Sequence, residues 1–362
     1  MFNFLNPKIQ GFGLDLSDLS IKIARLKKRG SVFYLTSFGR QEIKEGLIEN
    51  GEIKKEEELI KVIKEAIQRV KGEPLKTKYC IASLPETVSF VQVIKMPLMD
   101  EEELSEAIKW ELEAHIPLSK DEIYYDWQII DDGAKIQKDH LDVLVGVLPK
   151  KTVDPYLAVL KKAGLKPLAF EIEPIATARA LIKNGCSDSP VIIIDLGAKR
   201  TGFLIFYGQA IYFTTALPIC NSSLVDILSQ NLNIDRAKAL KIKLKVGLNI
   251  KHPKSRIYQA LNVPLLDMAE KIKNYIEFYN EHLMPLPGNG KNIAKIIFCG
   301  GGAMLSGLTE FLSKELKMPV EIGNPWVNIC ANPADEIPKF NQNESLSFTT
   351  AFGLSLRNND QT

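Results

Sequence analysis

Three short segments of this 362-residue chain carry residue types that bind phosphate and a divalent cation. The first is Gly13-Leu14-Asp15-Leu16-Ser17-Asp18-Leu19-Ser20-Ile21-Lys22. The second is Ile194-Asp195-Leu196-Gly197-Ala198-Lys199-Arg200-Thr201-Gly202. The third is Cys299-Gly300-Gly301-Gly302-Ala303-Met304-Leu305. In the first two, an acidic residue ends an apolar run. A carboxylate in that place costs desolvation free energy unless it is partnered, and a magnesium ion held through waters is one such partner. A tight turn after each aspartate aims backbone N–H groups at an anion. Three glycines after a strand permit close backbone approach and open a helix N-terminus, which suits a nucleotide. Each piece alone has an ordinary reading, a satisfied turn aspartate or a plain glycine turn. Their order and separation make the set specific. Other nucleotide motifs are missing: there is no GxxxxGK[ST], Gly11-Phe12-Gly13 lacks a third glycine, and there is no GxSxG elbow or HRD-type loop.

The elements that must position these segments alternate between strand and helix. Phe12 and Leu14 lead into Asp15, a second strand follows through Ile21, Ile23 and Leu26, Lys27-Lys28-Arg29-Gly30 reads as a basic turn, and Ser31 to Ser37 reads as a third strand. Lys54 to Lys71 has apolar residues three and four apart and reads as a helix, with Gly72 as its C′ residue. Tyr79 to Leu84 is a buried strand. From 86 to 170 a β-α-β-β-α pattern marks a small inserted unit, its first helix capped by Asp100, buried through Leu104, Ile108 and Leu112 and stopped by Pro117. Pro174 to Asn184 is a helix. Val191 to Leu196, Thr201 to Tyr207 and Ala210 to Thr215 repeat the opening theme, which suggests a duplicated core. Residues 221 to 284 are helical with a break near 249 to 255, Ile296 to Cys299 is a strand, and Leu308 to Leu316 is a helix. Residues 333 to 345 read as a loop, Leu346 to Leu356 as a last helix, and the remainder as a frayed tail. The fold class is α/β.

Composition bounds the function. The balance of 46 basic and 44 acidic residues, a formal charge of +2, gives no strong basic field for nucleic acid. The basic run through Arg236, Lys238, Lys241, Lys243, Lys245, Lys251, Lys254 and Arg256 reads as a solvated helix face without interleaved aromatics. Five scattered cysteines (Cys80, Cys186, Cys220, Cys299, Cys330) form no CxxC and read as thiols of a reducing compartment. Four scattered histidines give no metal-ligand spacing. No run reaches the ~18 apolar residues of a membrane span, and Met1 to Leu5, with Phe2 and Phe4, reads as a loose terminus. The expected location is cytoplasmic.

The order of the three segments resembles the actin/Hsp70/hexokinase ATPase superfamily. The Asp15 segment resembles its first phosphate motif, the Asp195 segment its second, and Gly300 to Leu305 its adenosine motif. Glu171-Ile172-Glu173-Pro174-Ile175-Ala176-Thr177-Ala178 resembles the ExPxAxA helix joining the two halves. Within the superfamily the chain is most similar to the PilM family of type IV pilus assembly, and in the same way to the FtsA family. The 86–170 insertion resembles the 1C subdomain of both, Glu111 to Leu118 is similar to a PilM helix ending in tyrosine-Ile-Pro with His115 in the aromatic place, and Ala351 to Arg357 resembles the closing helix. The short polar end, Asn358 to Thr362, lacks FtsA's amphipathic anchor.

The resemblance implies an actin-like, ribonuclease H-like duplicated fold. Subdomain 1A would take residues 1–85 with 171–190 and 346–358. Subdomain 1C would take 86–170, 2A 191–230 and 291–345, and 2B 231–290. It implies ATP and Mg2+ in a cleft between the halves. Asp15 and Asp195 would hold the metal through waters, with Ser17, Ser20 and Lys22 at the first phosphate turn. Gly197, Ala198 and Thr201 would cradle phosphate. Gly300, Gly301, Gly302 and Met304 would border the nucleoside, Lys273 would supply a cation from the adenosine-side helix, and Glu173 would sit near the attacking water. The first turn departs from the family in having Ser17 where glycine is frequent and Asp18 beside it. The second departs in carrying Lys199 and Arg200. Binding with slow turnover is therefore expected rather than efficient hydrolysis.

The resemblance also implies recruitment to the inner face of the inner membrane by the N-terminal cytoplasmic peptide of a PilN-like membrane protein, lying in a groove between 1A and 1C. Val91, Ile94, Trp110, Ile116, Pro117 and Leu118 are the candidates for that groove, and each reads equally well as core of a small subdomain. An FtsA- or MreB-like filament, with self-association, is the alternative. A small-molecule kinase of the same superfamily is another, though no substrate-facing catalytic aspartate is evident.

Overall fold

The computed structural model describes residues 10–30, 32–86, 89–116, 118–130, 140–248, 251–283, 292–329 and 342–360. In chain order the strands and helices begin with β1 (Phe12–Leu16), β2 (Ser20–Arg29), β3 (Val32–Glu42), β4 (Ile48–Glu49), β5 (Glu52–Ile53), α1 (Glu56–Gln68), β6 (Lys71–Gly72) and β7 (Tyr79–Leu84). Next come β8 (Phe90–Pro97), α2 (Glu101–His115), β9 (Ile123–Ile129), β10 (His140–Pro149), α3 (Lys150–Lys162), β11 (Lys166–Ile172) and α4 (Glu173–Leu181). Then follow β12 (Ser187–Leu196), β13 (Thr201–Gly208), β14 (Ala210–Leu217), α5 (Asn221–Leu232), α6 (Arg236–Val246) and α7 (Arg256–Phe278). The last are β15 (Lys295–Cys299), α8 (Leu308–Leu316), β16 (Val320–Ile322) and, after short turns over 342–348, α9 (Thr349–Asp360). The chain divides into two compact units, Met1–Pro85 with Thr152–Lys183 and Asn324–Thr362, and Glu86–Lys151 with Asn184–Gly323.

The first unit is built on a sheet of order β11-β7-β1-β2-β3-β6. Strands β1, β2 and β3 form an antiparallel meander, and β7 runs parallel to both β1 and β11. One set of side chains, Ala24 and Leu26, packs with Trp326, Phe348, Phe352 and Leu356. Helix α9 lies so close to β1 that a Cβ on Gly13 would stand 2.2 Å from the Ala351 carbonyl oxygen. Helices α4 and α9 meet as closely: a Cβ on Gly353 would stand 1.7 Å from the Ala176 oxygen. That approach is what the small residues Ala176, Ala178 and Ala180 of the Glu173-Pro174-Ile175-Ala176-Thr177-Ala178-Arg179-Ala180 run serve, since all three are buried.

The second unit contains a sheet of order β14-β13-β12-β15-β16. Its meander β12-β13-β14 is antiparallel, and β15 is parallel to both β12 and β16. The order therefore repeats that of β3-β2-β1-β7-β11, so the sequence echo between the halves is a topological repeat. Val191 to Ile194 are wholly buried, as befits a central strand covered on both faces. A second, three-stranded antiparallel sheet, β8-β10-β9, carries α2 on one face. Asp100 caps α2 by accepting the Glu103 N–H at 2.9 Å, a contact worth about 1 kcal/mol. Leu104, Ile108 and Leu112 then pack on Val143, Val145 and Val147, as the helical spacing predicts.

Several expectations need correction. Lys27, Lys28 and Arg29 are strand residues paired with Tyr34, Phe33 and Val32, so the pairing runs on through the basic residues to Arg29. Gly72 is not the C′ residue of α1, which ends at Gln68 with Arg69 as its C-cap. It pairs with Ser37 at φ +86°, where a Cβ would meet the Thr36 oxygen at 2.3 Å. Strand β11 has no counterpart in the sequence reading. Its partner β7 lies nearly ninety residues earlier in the chain, Lys166 pairing with Tyr79 and Ile172 with Leu84, and Pro167 near its start masks a strand pattern. The three-stranded sheet ends at Pro149, and α3 beyond Thr152 and β11 pack with the first unit. Ser345 and the residues before it from Gln342 form a helical turn rather than loop, and α9 continues to Asp360.

Candidate functional site

Each unit presents a turn at the end of its central strand. In the first unit, parallel pairing aligns the C-terminal ends of β1, β7 and β11, so Asp15, Ser83 and the start of α4 at Glu173 share one edge. Asp15 is only 3% exposed. Lys22 Nζ lies 2.7 Å from its Oδ2, and the Ser83 hydroxyl donates to Oδ1 at 3.2 Å while accepting the Leu16 N–H at 2.9 Å. The register of β1 and β2 sets Lys22 directly opposite Asp15, so the ion pair is dictated by the hairpin. The hairpin itself is closed by the Ser17 N–H and hydroxyl, both donating to the Ser20 carbonyl at 3.0 Å. Asp18 is buried and accepts the Gly51 N–H at 3.1 Å, so its charge is turned toward the β4–β5 hairpin.

Of the two glutamates in the α4 motif, Glu171 is committed to structure. It binds both terminal nitrogens of Arg179 and lies 3.5 Å from Arg357, and Arg179 also donates to the Gly353 carbonyl at 3.1 Å. Glu173 is half-buried at the first turn of α4, at the strand-end edge.

In the second unit, Asp195 pairs in register with Cys299, which sets it beside the glycine turn. Gly300 has φ +79°, and a Cβ there would stand 2.1 Å from Asp195 Oδ1. A Cβ on Gly302 would stand 2.4 Å from the Leu196 side chain. The glycines are thus needed for the seating of one turn on the other, before any ligand is considered. Gly301 and Met304 are half-exposed in the short 3-10 turn that follows. Gly197 and Ala198 offer their carbonyls to the N–H groups of Asn221 and Ser222, capping α5 with the phosphate-type turn itself. Thr201 is wholly buried and gives its hydroxyl to the Ile219 carbonyl at 2.6 Å, so only its main chain faces the turn. Lys199 is exposed and Arg200 half-buried.

Two residues escaped the sequence reading. Glu86 is buried with its Oε2 2.9 Å from where a Gly202 Cβ would be, and Gly202 is the register partner of Asp195, so a second carboxylate borders that turn. Lys243 is 1% exposed, and burial alone pushes its ammonium down to about 8. One turn later, Gly247 and Leu248 pack on Ser306, with the Leu248 N–H donating to the Ser306 carbonyl at 2.7 Å. The buried lysine therefore belongs to a helix anchored beside the Gly300–Leu305 turn. Lys273, the expected cation, is exposed on α7. The signal for Lys243 was its place four residues after Ala239 on the buried stripe of α6.

The expected peptide-binding residues lie in different surroundings. Ile116 belongs to the core under α2, with Ile94 and Leu118 packed against it. Val91 lies on the opposite face of the three-stranded sheet from Ile94, by strand alternation. Trp110 is 68% exposed, with Lys120 Nζ 4.9 Å from its ring centroid. Pro117 lies outside the described residues, as do Cys330, Phe2, Phe4 and Leu5. No helix among the described residues is long and apolar enough to cross a membrane.

Two sheets of the same strand order, each ending its central strand in an aspartate turn, define an actin-like protein. The structure superposes on that of a PilM–PilN type IV pilus biogenesis complex with a TM-score of 0.80, 23% identity and coverage of 97% of this chain and 99% of that one. It also resembles MreB5 of Spiroplasma citri bound to AMPPNP, with a TM-score of 0.53, 15% identity and 97% and 96% coverage. The cell division protein FtsA of Neisseria meningitidis serogroup B is 27% identical over 181 residues, 46% of this chain and 44% of that protein, so the match spans less than half of this relative. The family model for type IV pilus assembly protein PilM matches residues 13–359, and the chain belongs to that family.

Proposed function

We propose that this protein binds ATP with Mg2+ and serves as an assembly component of a type IV pilus platform, working on the cytoplasmic face of the inner membrane. The observation that carries the reading is the repeated strand-end turn, Asp15 in one unit and Asp195 in the other, with the Gly300–Met304 turn seated on the second. The donor set suits the ligand: each turn carries an aspartate, with Glu86 beside the second, fitting a cation that keeps waters and takes its other ligands from phosphates. Asp15 and Asp195 would hold the metal, which neutralises phosphate charge. Ser17, Ser20 and Lys22 would meet phosphate in the first unit and Gly197, Ala198 and the Thr201 main chain in the second. Gly300, Gly301, Gly302 and Met304 would border the nucleoside with Lys273 supplying a cation from α7, and Glu173 would orient water. A bound PilN is a feature of the similar PilM–PilN complex. A PilN-like N-terminal peptide is accordingly the proposed partner here, docking on the 86–151 region.

Calorimetric titration with ATP tests the nucleotide reading. Magnesium-dependent binding should weaken at least tenfold in Asp195→Asn, and unchanged binding in that variant would sink it. Fluorescence anisotropy with a labelled partner N-terminal peptide tests the docking, with Trp110→Ala and Leu118→Ala expected to weaken it. ATP-dependent sedimentation of the chain without a partner would instead favour the filament reading.

A further inference from the structure

At the other edge of the first unit's sheet lies a cleft of about 540 Å³ lined by Gln10, Arg25, Lys76, Thr77, Lys78, Tyr79 and Lys166. Four of these seven side chains are cations and none is a carboxylate. They come from four neighbouring strands in the order β11-β7-β1-β2 or their leading residues, so pairing gathers them across about 14 Å of sheet edge. Lys166 is in register with Tyr79, donates its N–H to the Lys78 carbonyl at 2.7 Å and holds Nζ 5.8 Å from the Tyr79 ring centroid. The β2–β3 ladder slips between Arg25 and Leu26, an irregularity of the kind that re-aims a side chain. Arg25 Nε is buried without a hydrogen-bond partner. Glu73, which feels the charge of Arg25, is already bound to Lys27.

Cations gathered with no carboxylate in the lining repel one another, and an unpaired buried N–H costs free energy until an acceptor arrives. Arginine with lysines around it matches the oxygen geometry and charge of a phosphate group. The volume falls in the range of small-molecule sites, larger than a bare phosphate needs. Strand β1 separates this edge from the Asp15 turn by five residues, about 16 Å, so this is not the site described above.

We propose that this cleft is a second anion site, which binds a phosphate ester through Arg25, Lys78 and Lys166. The same chemistry is offered by a soluble phosphorylated metabolite and by the headgroup of an anionic phospholipid. Two probes separate these sources: glycerol 3-phosphate in solution, followed by calorimetry and thermal shift, and co-sedimentation with phosphatidylglycerol vesicles against phosphatidylcholine vesicles. In Arg25→Gln/Lys166→Gln the affinity for the responsive probe should fall at least tenfold. The control Lys241→Gln/Lys245→Gln makes the same change in net charge on exposed α6 and should leave that affinity within twofold. Should the first variant melt early, Lys76→Gln/Lys78→Gln gives the same reading. Response to glycerol 3-phosphate alone assigns a soluble ester, and response to the anionic vesicles assigns the lipid. Failure of both probes to bind, or equal weakening by the α6 control, overturns the site.

Discussion

The two strand-end turns do the same job by different means. In the first unit the turn is held by side chains: Lys22 neutralises Asp15, Ser83 ties the carboxylate to β7, and Ser17 closes the hairpin on Ser20. In the second it is held by shape. Gly300 and Gly302 admit Asp195 and Leu196 into the space where their Cβ atoms would be, and the Gly197 and Ala198 carbonyls cap α5. The first turn thus has its charge set in advance, and a cation arriving there competes with Lys22 for Asp15. The second has its surface set in advance, and the buried Lys243 stands on a separate helix whose end packs on Ser306. A repeated topology has kept the position of the aspartate and changed what supports it.

The largest effect that tests this difference is expected for Gly300→Ala. Its methyl would collide with a carboxylate oxygen at a backbone angle that alanine avoids. Destabilisation on the order of 4 kcal/mol should appear in urea or thermal unfolding. A loss under 1 kcal/mol would show that the second turn is not held by shape. Asp15→Asn comes next. It leaves the Lys22 ammonium, 12% exposed, without its partner and should cost about 3 kcal/mol. Adding Lys22→Met should return part of that loss, giving a measurable coupling between Asp15 and Lys22. Additive single losses would remove the charge-based account of the first turn.

The same contrast explains what could be read from the residues alone. The aspartate turns, the glycine run and the strand-helix alternation are local signals, and the structure places them where such signals belong. Contacts that depend on distant pairing were not legible. Strand β11 needs β7 beside it, Gly72 needs the Thr36 carbonyl, and the commitment of Thr201 to Ile219 needs the end of β14. Lys243 was hidden for another reason. Lysines on every side of α6 make the helix look uniformly solvated, and only packing shows that one of them is inside. The two glutamates of the α4 motif look alike in sequence, and the long reach of Arg179 and Arg357 decides which is structural.

Lys243 gives the second unit a pH signature near neutrality. Its folded value, about 8, lies below the ordinary 10.5, so the unfolded chain binds more protons between those values. Stability should therefore rise as pH goes from about 8 to 10.5, and the cost of charging the buried amine is fully present below 8. Lys243→Met should flatten that rise and stabilise the protein at pH 7 by roughly 2 kcal/mol, less than the ~3 kcal/mol of the full shift because some packing is lost. The measurement is the unfolding midpoint across pH for both proteins. An anion bound beside Lys243 should favour the charged amine, so nucleotide affinity in the parent should fall as pH passes 8 while that of the variant stays level. Parallel pH profiles would detach this lysine from the second turn.

The smallest effect is also the most direct probe of how the first turn is closed. Ser17 stands where a glycine is frequent in similar turns, and its hydroxyl adds a bond to the Ser20 carbonyl that the backbone N–H already makes. Because the N–H bond survives, Ser17→Ala should cost only about 1 kcal/mol. Ser17→Gly should cost more in stability through chain entropy, yet it opens the turn to closer approach of a phosphate. The pair of variants therefore separates holding the turn from using it. If side chains hold this turn, both variants lose stability and Ser17→Gly binds nucleotide at least as well as the parent. If neither variant changes the unfolding midpoint, the first turn is held by its backbone as the second is, and the contrast between the two halves disappears.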